Sequence, residues 1–129
     1  LGSLGLLTLS ACADETLSGY LAESDAWALQ GEEDRSTAVP FRITFPRKGH
    51  IEGAGICTDF TARQTAPYPW FALEAVRISA TNCPEGDALR ADQEKLEGLK
   101  RMTLAEISGN ILILSNDDGE QLTFVAVEN

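Results

Sequence analysis

A thiol, an imidazole and a carboxylate lie near one another in the chain at Cys57, His50 and Asp59. A cysteine nucleophile with a general base needs such a set. The spacing argues against it. On an extended strand Cys57 and His50, an odd number of positions apart, point to opposite faces. Only a β-bulge at Gly53 or Gly55 would bring them together. The chain's single histidine stands beside a glycine turn and reads as exposed and inert. No catalytic residue is assigned, no cofactor is expected, and the chain reads as a non-enzyme.

Metal chemistry fares no better. Asn116-Asp117-Asp118-Gly119-Glu120 is rich in oxygen ligands but lacks the alternating spacing and distal Glu of a calcium loop, so a hairpin turn explains it. Glu85, Asp87 and Asp92 lie on or beside a helix start, where negative charge complements the dipole. No metal site is expected. The segment Tyr68-Pro69-Trp70-Phe71 carries rigid aromatics in a proline-stiffened loop. Tyr68, Trp70 and Phe71 form a candidate binding surface, since little entropy would be lost on docking. The same residues could instead plug the open edge of a half-barrel, and that reading is preferred.

The order Leu9-Ser10-Ala11-Cys12, after an apolar run from Leu1, carries a different chemistry. A Leu three places before a Cys, then two small residues, resembles the lipobox of exported bacterial lipoproteins, whose Cys thiol takes a diacylglycerol before cleavage. On this reading residues 1–11 are a leader and the chain begins inside its precursor. Residues 12–25 are then an acidic tether and 26–129 the domain. Each buried methylene contributes about 0.8 kcal/mol, so the acyl chains would hold Cys12 on a bilayer. The linker from Ala13 to Ala26 could stretch to about 40 Å. Cys57 and Cys83 remain. An exported address makes a disulfide between them the expected state, against the alternative of two buried reduced thiols. Closing that loop is worth roughly 3.5 kcal/mol in the chain-entropy model. The bridge reads as structural, since no C-x-x-C is present and nothing basic adjoins either thiol.

Short β-like runs separated by turns must position these residues, with one helical interval. Ala26 to Gln30 reads as a strand with Trp27 and Leu29 on one side. Val39 to Phe45 follows, then the turn Pro46-Arg47-Lys48-Gly49. His50 to Cys57 is a third strand, whose Gly53 and Gly55 suggest a bulge or a close backbone approach. The prolines at 67 and 69 exclude a central strand there and feed a strand from Phe71 to Ile78. Between Pro84 and Met102, Leu89, Leu96 and Leu99 share a helical face, and Arg90, Asp92, Glu94, Lys95 and Glu97 lie largely outside it. Asp87 is the expected N-cap, and Gly98 suggests close packing. Leu104 to Ile107, Ile111 to Leu114 and Gln121 to Val127 form a closing meander. Ile111 to Leu114 is apolar on both faces, so it should be central or sandwiched.

In that order, Trp27-Ala28-Leu29, Gly53-Ala54-Gly55-Ile56-Cys57, Ser79-Ala80-Thr81-Asn82-Cys83, the helix with Leu96 and Leu99, and Gly109-Asn110-Ile111-Leu112-Ile113-Leu114 resemble the META domain family of HslJ-like, heat-shock-inducible exported proteins. The likeness covers roughly residues 25 to 128. Thr58 stands where the family usually has Asn, Thr61 or Ala62 where it has Gly, and Ser79 where it has Thr. The resemblance implies an α+β fold, a strongly twisted antiparallel sheet forming a partial β-barrel with one helix packed across it. It also implies a role in envelope stress resistance or motility-related export, without catalysis.

Ten basic against twenty acidic residues give a net charge of −10 over 129 residues. That field repels phosphates, so no nucleic acid is expected as a partner. The expected partners are a membrane, through the lipid on Cys12, and an unknown envelope protein or apolar ligand. The protein is expected to be a monomer facing the periplasm, on the outer membrane ahead of the inner. Two rival functions stand beside the non-enzymatic one. One is a lipid- or peptide-carrying lipoprotein comparable to pilot lipoproteins, which needs an apolar groove of several hundred Å³. The other is a hydrolase using Cys57 or a carboxylate pair.

Overall fold

A computed structural model describes residues 15–21, 26–31, 41–80, 83 and 86–127. The lipobox, Cys12 and Glu85 lie outside the described residues. The chain forms an α+β fold whose strands are β1 (Ala26–Leu29), β2 (Arg42–Thr44), β3 (His50–Ala54), β4 (Thr58–Arg63), β5 (Glu74–Ala80), β6 (Leu104–Ser108), β7 (Ile111–Ser115) and β8 (Gln121–Val127). One helix, α1 (Asp87–Lys100), separates β5 from β6. The strands make one antiparallel eight-stranded sheet in the order β5-β4-β3-β2-β1-β8-β7-β6, curled into a half-barrel.

Period-two alternation fixes the inner face. Trp27, Ile43, Gly53, Phe60 and Ile78 stand in one cross-strand row through the pairs Trp27↔Ile43, Ile43↔Gly53, Gly53↔Phe60 and Phe60↔Ile78. A neighbouring row runs Ile107, Leu112, Phe124 and Leu29. Trp27, Ile43, Phe60, Leu112, Phe124 and Leu29 of these rows, with Leu96 and Leu99 of α1, are buried in the core, Ile107 packs against it, and Ile78 on the edge strand β5 stays exposed. Ile43, Ile51, Leu99, Leu112, Leu114 and Phe124 are fully buried in it. Gly53 shows why a glycine is needed in the inner row. The Phe60 ring lies across it, and a Cβ at position 53 would overlap that ring. Phe60 also stacks on Phe41 with ring centroids 6.1 Å apart.

Several sequence expectations are corrected here. The third strand ends at Ala54, and Gly55 to Cys57 form a turn into β4, a strand the sequence reading did not include. Its polar alternation, with only Phe60 and Ala62 turned inward, gives a weak apolar signal. The run from Phe71 joins β5 only at Glu74, because the Phe71 N–H donates to Thr103 O on the far side of the half-barrel. Asp87 is the first helical residue and Gly86 the N-cap, at φ 86°. Asp87 therefore acts within the first turn and pairs with Arg90 at 3.3 Å. Gly98 meets nothing closer than an arginine side chain at 3.9 Å from an added Cβ, so tight packing does not explain it. β7 is neither central nor sandwiched. It lies second from an edge, with Leu112 and Leu114 inward and Ile111 outward, opposite Val125 of β8.

The stretch 12–25 is tether only in part. Leu17, in a 3₁₀ turn over Leu17–Tyr20, is fully buried, and Leu21 joins the same core. Their apolar side chains bind this stretch to the sheet.

Candidate functional site

Cys57 and Cys83 are joined by a disulfide, with Cα atoms 5.0 Å apart and a sequence separation of 26. The bond ties the β3–β4 turn to the segment entering α1. A second tie lies beside it. Asp92, buried at 5% exposure, accepts the Ile56 N–H at 2.8 Å on one carboxylate oxygen and the Cys57 N–H at 2.9 Å on the other. Two amides left without strand partners are thereby satisfied by an acceptor of opposite polarity, the stronger kind of hydrogen bond. Asp92 fits only because position 55 is glycine, where a Cβ would overlap the carboxylate. This corrects the placement of Asp92 on the solvent side of the helix. Its place was legible in the spacing Leu89, Asp92, Leu96, Leu99, which puts the carboxylate on the apolar face.

The bond also disposes of the thiol nucleophile, since a bridged sulfur cannot attack. His50 pairs with Arg63, four residues along β4 from Asp59, a separation of about 13 Å along the strand. Its Nδ1 lies 3.0 Å from Lys48 O within its own turn. The structure does not bring Cys57, His50 and Asp59 together as a triad.

The oxygen-rich hairpin between β7 and β8 uses its ligands internally. Asn116 Oδ1 accepts the N–H groups of Asp118 and Glu120 at 3.0 and 3.1 Å. Arg101 grips both oxygens of Glu120 at 2.9 Å, and Asn116 Nδ2 donates to one of them at 2.8 Å. The guanidinium first, then Asn116, holds the Glu120 carboxyl below its ordinary range, while Glu120 raises Arg101. Among the described residues no group of three His, Cys, Asp or Glu could hold a metal.

The Pro67–Phe71 segment divides between its two expected roles. After a cis Tyr68–Pro69 bond it runs along β6, the edge strand. Pro69 O accepts the Ala105 N–H at 2.7 Å, Tyr68 OH accepts the Ile107 N–H at 3.3 Å, and Trp70 bridges Leu104. Edge amides that would invite another strand are thus closed. Phe71 is buried at 2% exposure, Tyr68 packs against the core, and Trp70 remains 56% exposed. Tyr68 and Phe71 are the plug, and Trp70 alone of the three faces outward.

The inner face is filled by side chains. A hollow of about 440 Å³ instead opens on the outer face. Arg42, Thr44, Glu52, Asp59 and Thr61 wall it over a floor of Ala26, Gly53, Ala54 and Phe60. It was missed because its residues come from four strands. Alternation of charge with small residues was the available signal. A smaller hollow of about 140 Å³ is lined by Tyr20, Leu21, Ile107, Asn110 and Trp27, whose indole N–H has no acceptor among the described residues. That volume has room for a bridging water.

The half-barrel, its helix and the family model agree on kinship. The model of the META domain matches residues 20–129, most of the chain. The chain belongs to the META domain family. Solved structures repeat this META fold at low identity. A DUF4847-family protein from Bacteroides vulgatus aligns with TM-score 0.56 at 14% identity, over 82% of this chain and 94% of its own. An NMR structure of a protein from Burkholderia xenovorans gives 0.62 at 14%, over 95% and 88%. A further NMR structure gives 0.59 at 19%, over 80% and 89%. At such identity these likenesses concern the fold. No curated protein matches the chain.

Proposed function

We propose that this META-domain protein is a non-enzymatic lipoprotein of the cell envelope, held through a lipid on Cys12. It faces the periplasm from the outer membrane and serves there as a binding or structural module under stress. The observation that carries this reading is the Cys57–Cys83 bond. Structural disulfides belong to oxidising compartments, and this one leaves no thiol of the folded domain for chemistry. The lipobox order Leu9-Ser10-Ala11-Cys12 adds the anchor. The carrier alternative loses ground, since the inner face is filled by core side chains and the hollow of suitable volume lies open on the outer face, with Arg42, Glu52 and Asp59 in its wall. Replacing Cys12→Ser tests the reading. The protein should move from the membrane fraction to the soluble one, and unchanged fractionation would count against lipidation.

A further inference from the structure

We infer that the end of the domain bearing Tyr20 and Trp70 docks onto the headgroup layer of the bilayer that holds the anchor. The inference rests on the lipidation of Cys12 proposed above. Its first support is the length of chain left between anchor and domain. The Tyr68 N–H donates to Glu15 O at 2.7 Å, and Thr16 forms a bridge with Pro67. The domain therefore begins at Glu15, with only Ala13 and Asp14 between it and Cys12. Three residue steps span at most about 11 Å, comparable with the thickness of one headgroup layer. A lipid on Cys12 thus holds this end of the molecule at the interface.

The second support is what that end carries. Tyr20 and Trp70 are exposed at 53% and 56%, in contrast to Trp27 at 2%. Both exposed rings are attached to the segment that pins the tether. Tyr20 stacks on Tyr68 with centroids 4.4 Å apart, and the Trp70 N–H donates to Pro67 O at 2.8 Å. Tyr and Trp settle at the membrane–water boundary because an apolar ring carries one polar group. The net charge of −10 and the exposed Glu15 favour a zwitterionic surface over an anionic one.

The test supplies the anchor chemically. With the disulfide intact, Cys12 is the remaining thiol and can be coupled to a maleimide-bearing lipid. The vesicles are phosphatidylcholine containing brominated phosphatidylcholine. The coupled full chain should show a blue-shifted tryptophan emission and bromine quenching, and Trp70→Phe should lose both, since only buried Trp27 then remains. Emission of the coupled parent that stays unshifted, unquenched by bromine and open to aqueous iodide would overturn the docking and leave these rings to a protein partner. Because the lipid is added by hand, this outcome is independent of whether cells acylate Cys12.

Discussion

The carboxylate of Asp92 fills the space that a side chain at Gly55 would need, and from there it accepts two turn amides. A helix residue and a hairpin glycine are thus parts of one joint, with the disulfide beside it. Asp92→Ala leaves two part-buried N–H groups without their acceptor and should cost about 2–3 kcal/mol. Asp92→Asn should recover only part, since its amide nitrogen faces one of the two donors. Denaturant midpoints measure this, and a loss under a few tenths of a kcal/mol would show that water replaces the carboxylate.

Reducing the disulfide should lower stability by roughly 3.5 kcal/mol, the loop-closure value for its 26-residue separation. The Cys57→Ala, Cys83→Ala pair should do the same without reductant. A thermal midpoint unchanged by reductant would show that the thiols are not joined.

Gly53→Ala forces the Phe60 ring off its seat and should cost about 1–3 kcal/mol. The cost should shrink in a Phe60→Leu background, because the obstructing ring is gone. A double-mutant cycle reads this coupling directly. Additive losses would mean that the backbone, not the ring, resists the new methyl.

Arg101 and Asn116 depress the Glu120 carboxyl. A group with a lowered folded pKa contributes stability above its ordinary value and loses it as pH falls through the depressed one. Glu120→Gln should therefore melt slightly below the parent at neutral pH, with the two curves converging in acid. The pair is exposed, so salt should narrow the neutral gap. A gap constant across pH would assign the effect to something other than this ion pair.

Local order was legible to the extent that it is set by near neighbours. Alternation placed Trp27 with Leu29 and marked the closing meander, and the leucine spacing marked α1. Ser79 to Cys83 and the glycine pair at 53 and 55 carried the family likeness that the META match bears out. Those glycines read as a bulge or a close backbone approach, and the structure shows instead two side chains, the Phe60 ring and the Asp92 carboxylate, filling the space a Cβ would need.

Tertiary structure decided what depends on residues far apart in the chain. Helical spacing puts position 92 on the apolar face, but what its carboxylate meets there is decided by a turn 36 residues away that presents two unpartnered amides. Tyr68 and Phe71 close an edge only because β6 arrives beside them after the helix. The tether shortens only because Leu17 finds a buried seat. Side-chain periodicity records which face of an element is apolar. Which edge, turn or strand meets that face is set by the sum of distant contacts, and no local pattern encodes that sum.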